Sequence, residues 1–160
     1  MPTQQQEFEW IAMPHLAALL RVARRLTPEP MSAEDLVQET MLLAWRGFRG
    51  FERGTNARAW LFRIMFNVFH GQGRRELRSP ELSLLDVRPR FQEAIEIAEA
   101  LNALSLEQRT VLLLCVVEGF TCREAAGILD LPIGTVMSRL SRARQELRES
   151  LAPMAKVAYR

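Results

Sequence analysis

Thr135, Ser138, Arg139 and Arg142 recur at helical spacing and place two hydroxyls and two guanidinium groups along one side of a helix. Hydroxyls exchange hydrogen bonds with base edges and phosphates, and a guanidinium fork grips a guanine edge or a phosphate with two parallel bonds. Val136, Leu140, Ala143 and Leu147 hold another face of the same helix, roughly 110° round. One face is built for burial and its neighbour for a polyanion. Such a helix needs a partner to pack on. Thr121 and Glu124 form a capping box, Ala125, Ala126 and Leu129 give the next segment an apolar side, and Leu131-Pro132-Ile133-Gly134 breaks the pattern. Residues 121–148 therefore read as a helix-turn-helix whose second helix presents its polar face to DNA. An ordinary helical hairpin shares the periodicity. The arginines stand almost without acidic neighbours until Glu146, however, which favours the nucleic-acid reading.

Two further constellations lie upstream. Asp35, Gln38, Glu39, Leu42 and Arg46 collect on one side of a helix whose other side carries Ala33, Val37, Met41 and Ala44. A leucine ringed by charges suits a protein-docking face, and on spacing alone it suits a solvated helix face equally well. Farther on, Leu61, Ile64, Met65 and Val68 form one apolar stripe and Phe62, Phe66 and Phe69 a second. Between them run Asn56, Trp60, Arg63, Asn67 and Arg74. Amides, an aromatic plane and arginines are the parts that hold unstacked bases. Trp60 as plain core and Asn67 as a surface amide remain equally open.

The elements that position these groups are all helical. Phe8 to Leu26 reads as one helix with Pro14 near its start and residues 27–30 as a stop. Ser32 with Asp35 caps a second helix to about Phe48, and Asn56 caps a third from Ala57 to about Leu77. Residues 78–90 lose periodicity and carry two prolines, so they read as an extended linker. Helical spacing resumes over 91–103, and Ser105 with Gln108 makes another capping box. The fold expected is all-α: two small helical domains, 1–77 and 91–160, joined by the linker.

A net charge of +2 hides segregation: −1 over residues 1–53, +4 over 54–90, −4 over 91–120 and +3 over 121–160. Two separate basic blocks fit two contacts with a polyanion. Cys115, in the run VLLLCVV, reads as a buried core thiol and Cys122 as a free one; neither spacing suits a metal site with His15 or His70. No Ser-His-Asp, Cys-His or paired-carboxylate arrangement suggests catalysis, and no cofactor motif is present. The longest apolar run, residues 111–117, is too short to span a bilayer. With no signal peptide in view, a soluble cytoplasmic protein without membrane contact of its own is expected.

Taken in order, DLVQETMLLAW, NARAWLFRIMFN and LSLEQRTVLLLCVVEGFTCREAAGILDLPIGTVMSRLSRARQELR resemble the bacterial extracytoplasmic-function (ECF, group IV) sigma factors. The resemblance covers about residues 10–77 and 92–151. It implies a non-enzymatic initiation factor that binds core RNA polymerase and directs it to promoter DNA, with an anti-sigma factor as a common regulator. It assigns Asp35, Gln38, Glu39, Leu42 and Arg46 to polymerase docking. Asn56, Arg58, Trp60, Arg63, Asn67 and Arg74 fall to the −10 element, and Arg123, Thr135, Ser138, Arg139 and Arg142 to the −35 element. The linker would thread toward the polymerase active-site channel. Two departures stand out: Met41 where the family often has an aromatic, and the run Val68-Phe69-His70-Gly71-Gln72-Gly73 where it usually has an acidic residue before its arginine pair. The rival readings are an operator-binding regulator that ignores polymerase and a decoy that only sequesters an anti-sigma factor.

Overall fold

The computed structural model describes residues 1–27, 29–73 and 92–157. Arg74, Arg75, the 78–90 linker and Phe91 lie outside the described residues, as does the expected end of the third helix at Leu77. All regular structure among the described residues is helical. The chain forms two compact units, the first built on four helices and the second on the rest of the described chain save the end of its third helix.

The first unit opens with α1, Gln4–Ala12, started by a capping box in which Thr3 and Gln6 exchange side-chain and backbone bonds. The single helix expected over 8–26 is in fact divided. Pro14 has no N–H to donate, so Met13–His15 tightens into a 3₁₀ turn before α2, Leu16–Leu26. Helix α3 runs Pro30–Gly47 and starts two residues before Ser32. The cap expected of Ser32 with Asp35 is therefore not made; Pro30 at the first helical position, with its φ already fixed, sets the start instead. After a 3₁₀ turn, Phe48–Gly50, α4 spans Ala57–Gly73.

The core of this unit is aromatic and aliphatic. Leu19, Val22, Ala33, Leu36, Ala44, Phe48, Leu61, Phe62, Met65 and Phe66 are essentially inaccessible. Phe8, Phe48, Phe51 and Trp60 form a chain of ring contacts, with the Phe51 and Trp60 centroids 4.6 Å apart. Thr40 is buried too, its hydroxyl donating to the Leu36 carbonyl at 2.7 Å. Met41 and Ile64, expected inside, are only half-buried, and Leu36 and Thr40 take the deeper positions on α3. A fork from Arg53 to Glu7, 2.6 and 2.9 Å, ties the loop before α4 back to α1.

In the second unit, α5 spans Gln92–Ala103 and α6 spans Leu106–Leu112, the latter started by the expected Ser105–Gln108 box. Helix α6 widens into a π turn, Leu113–Val117, which Gly119 closes at φ 73°. Helices α7, Cys122–Leu129, and α8, Ile133–Val157, form the hairpin. Arg109 crosses from α6 and donates to the carbonyls of Leu101, Asn102 and Leu104 at 2.9, 2.8 and 3.2 Å. Those carbonyls at the end of α5 would otherwise lack donors, and a cation there also matches the helix dipole. Gln108 binds Glu146 at 2.7 Å, joining α6 to α8.

Candidate functional site

On α8 the burial follows the sequence reading. Val136, Leu140 and Ala143 are buried and Leu147 half-buried, so Ser138 and Arg142 are left exposed. Thr135 and Arg139 flank that exposed strip and are half-buried. The Ser138 hydroxyl donates to the Thr135 carbonyl at 3.1 Å, so its oxygen keeps lone pairs for an incoming donor. Arg123 is exposed in the first turn of α7. That helix packs through Ala125 and Ile128 rather than Leu129, which is half-buried.

The turn between the two helices differs from expectation. Asp130 takes the left-handed conformation, φ 53°, and the N–H groups of Asp130 and Leu131 both return to the Ala126 carbonyl. Asp tolerates this conformation with little strain, so no glycine is needed there. Gly134 lies inside α8 instead, and the backbone N–H groups of Thr135 and Val136 close on the Pro132 carbonyl at 3.0 and 3.2 Å.

On α3, Asp35, Gln38, Leu42 and Arg46 are exposed and Glu39 is half-buried. The first four positions of the set, Asp35, Gln38, Glu39 and Leu42, line a groove of about 670 Å³ whose opposite wall is Val68, Gly71 and Gln72 of α4. Sequence spacing on α3 alone gave no sign of that second wall. Its one sequence signal was Gly71, which puts no side chain on that wall. Leu42 is 42% exposed, a large apolar side chain at the centre of polar ones.

The strip on α4 is less uniform. Asn56 is spent on the helix: its Oδ1 accepts from the Ala59 N–H at 3.0 Å, the cap expected of it. Trp60 packs on Phe51 yet stays half-buried, serving core and surface together. Arg58 lies over the Phe62 ring at 5.7 Å, and its charge reaches His15. Arg63 and Asn67 are exposed one turn apart, on the same side of α4 as Trp60. Burial, with a smaller push from Arg58, holds the His15 imidazole below its usual range; burial alone does so at His70.

Comparison with known proteins gives the family of the chain. The profile of Sigma-70 region 2 matches residues 11–78 and that of Sigma-70, region 4 matches residues 94–147. An ECF RNA polymerase sigma factor, EcfG of Rhodopseudomonas palustris, is 36% identical over 145 residues, covering 85% of this chain and 78% of its own. The chain belongs to the ECF sigma factors. It is thus an alternative sigma factor, a component of transcription initiation, with the helix-turn-helix of region 4.

Solved structures agree with the fold. The sigma factor RpoE from Bartonella quintana, in complex with the anti-sigma factor NepR, aligns with a TM-score of 0.80 at 35% identity over 91% of this chain and 97% of its own. CnrH, in complex with the cytosolic domain of CnrY, gives 0.72 at 30% identity over 93% and 90%. The region 2 match takes in α2 to α4, and the region 4 match falls on α5 to α8. Among the described residues no cluster of His, Cys, Asp and Glu could hold a metal ion, and no helix is long and apolar enough to cross a membrane.

Two features escaped the sequence reading. Met137, 55% exposed, stands on α8 beside Ser138. A second groove, of about 390 Å³, runs along α8 past Cys122, Arg144 and Arg148. The only sequence signal for it was the surplus of arginine beyond those that the exposed strip uses.

Proposed function

We propose that this sigma factor docks on core RNA polymerase through the α3 groove, captures −10 bases along α4 and reads the −35 duplex with α8. One observation supports all three roles. The polar and aromatic side chains that the two cores leave exposed or half-buried carry the chemistry each contact needs. Asp35, Gln38, Glu39 and Arg46 offer charge complementarity around the Leu42 anchor, with Val68 and Gln72 behind it. Trp60, Arg63 and Asn67 offer a stacking plane, a phosphate partner and an amide, with stacking worth about 1–3 kcal/mol per base. Asn56 and Arg58 belong to the same −10 contact, Asn56 also capping α4, and Arg74, outside the described residues, is assigned to it by sequence spacing. Ser138 and Arg142 face the major groove, Thr135 and Arg139 border them, and Arg123 holds a phosphate at the start of α7.

The domain limits are 1–77 for region 2, 78–90 for the linker and 91–160 for region 4. The protein acts in the cytoplasm and performs no catalysis itself; the polymerase supplies that. Promoter capture needs both DNA contacts, since tethering them to one polymerase multiplies two weak affinities. An anti-sigma factor binds and restrains this chain too, a reading supported by the complexes of RpoE with the anti-sigma factor NepR and of CnrH with the cytosolic domain of CnrY.

The experiment is in vitro transcription with purified core polymerase on fragmented genomic DNA from the source bacterium. Defined start sites sharing two upstream elements, present only when the protein is added, are the expected result. Duplex binding without core-dependent initiation would replace this reading with an operator-binding regulator.

A further inference from the structure

Resting on the −10 reading proposed above, we infer that Glu7 is a positioning residue for base capture. Its fork on Arg53 ties the loop before α4, and through that loop the plane of Trp60, to helix α1.

Two routes run from α1 to Trp60, and the fork is the polar one. Arg53 donates from Nε to Glu7 Oε1 at 2.6 Å and from Nη2 to Oε2 at 2.9 Å, so both carboxylate oxygens are engaged. The same guanidinium lies over the Phe48 ring, 5.5 Å from its centroid. The Arg53 hydrogen bonds hold the Glu7 carboxyl below its usual range, so the pair is charged at neutral pH. A longer bond, from Arg49 Nε to Gln4 Oε1 at 3.5 Å, joins the neighbouring turn to the same helix. The second route is aromatic and starts one residue later. Phe8 meets Phe48 edge-on at 5.2 Å, Phe48 stacks on Phe51 at 6.0 Å, and Phe51 meets Trp60 at 4.6 Å. Phe8, Phe48 and Phe51 are buried, and Trp60 is the half-buried end of the chain of rings.

The loop between these routes takes no support from the core. Residues 52–55 are all exposed, and Gly54 turns left-handed at φ 87° with open space around it. The bonds inside the loop are local: the Thr55 N–H and hydroxyl both donate to the Glu52 carbonyl, at 3.2 and 2.6 Å. Such bonds shape the turn without aiming it. Arg53 stands two residues after Phe51, which backs the Trp60 ring, and three before Asn56, which caps α4. Released from Glu7, the turn gains conformers that move both of these supports.

An exposed ion pair adds little to folding stability, and the Glu7 and Arg53 side chains are 29% and 53% exposed. A stacking plane counts in full toward holding an unpaired base, and a small misplacement of it is felt in the rate. The fork therefore matters more to opening than to folding. Glu7 also lies ahead of residues 11–78, which match the region 2 profile, so no role assigned above includes it.

The test uses holoenzyme assembled from core polymerase and full-length variants, on a promoter fragment recovered in the transcription assay above. Permanganate reactivity of −10 thymines reads opening. Anisotropy on a −35 duplex and the urea midpoint report on the rest of the molecule. Glu7→Ala should slow opening about 10-fold and leave the other two readings as in wild type. Added to Arg53→Ala, or to Trp60→Leu, it should slow opening no further than either does alone, because the fork acts through both residues. Opening by Glu7→Ala at the wild-type rate, or full additivity in either pair, would overturn the inference. A urea midpoint that falls in step with opening would overturn it too, making the fork a folding contact. Opening by Trp60→Leu at the wild-type rate would remove the −10 reading itself, and the role of Glu7 with it.

Discussion

Arg142 and Arg123 are both exposed, but they occupy different positions relative to the helices that present them, and this separates their expected roles. Arg142 lies on the α8 strip with Ser138, two turns into the recognition helix, where a fork can reach a base edge. Arg123 stands in the first turn of α7. Arg142→Ala should cost about 1–3 kcal/mol of duplex affinity and relax preference at one base position. Arg123→Ala should weaken all sequences alike and lower the salt slope of binding by about 1. Anisotropy titrations over a set of single-base variants at several salt concentrations distinguish the two. A different residue-scale effect concerns His15. Burial makes the folded protein bind its proton less readily than the unfolded chain, whose imidazole titrates near 6.5. As pH falls through that value the unfolded state takes up the extra proton and stability declines; above it both forms are neutral and nothing is lost. Replacing His15 with Gln should flatten the fall in urea midpoint between about pH 7 and pH 5, while His70 retains its own share of the same sign.

At the scale of elements, α5 depends on a side chain from another helix. Arg109 supplies donors to two of its terminal carbonyls, Leu101 and Asn102, and to that of Leu104 just past its end, and burial draws the guanidinium below its usual range. Arg109→Met keeps the aliphatic stem and removes the donors. It should lower the stability of the second unit by about 2 kcal/mol in urea unfolding, with α5 losing amide protection first. Helix α4 offers the opposite case. A methyl at Gly71 would meet no atom within 4 Å, so Gly71→Ala should raise the melting temperature through about 0.5–1 kcal/mol of helix stability. Elements were legible where their signals were local. The capping boxes at Ser105 and Thr121 and the Asn56 cap each lie within four residues of what they control, and all three stand where the spacing put them. What escaped depended on contacts between segments or on competition between equally plausible signals. Ser32 lost the start of α3 to Pro30, and Thr3 opened α1 ahead of the apolar periodicity that begins at Phe8. The left-handed Asp130 could not be told from its neighbours by composition, because a glycine stood four residues on and drew the turn toward itself. Of the candidate site, the exposed face of α3 was readable from period alone, whereas its opposing wall on α4 required the fold.

For the whole molecule, the proposed division of labour predicts that damage to one surface leaves the others working. Glu39→Lys combined with Asp35→Lys should abolish core-dependent initiation, since both side chains line the α3 groove. The same variant should bind an isolated −35 duplex as wild type does, because Asp35 and Glu39 belong to the first unit and the α8 strip to the second. Loss of both activities would mean that the charges hold region 2 together instead of recruiting a partner. The two faces of α8 carry a longer-term consequence. Val136, Leu140 and Ala143 answer to the core, and Ser138 and Arg142 answer to solvent. On the −35 reading proposed above, a lineage can therefore rewrite which promoters it serves by substitutions at positions the fold does not consult. Duplicated copies would drift apart in target choice while remaining equally foldable, and new regulatory circuits could arise without a stability crisis on the way.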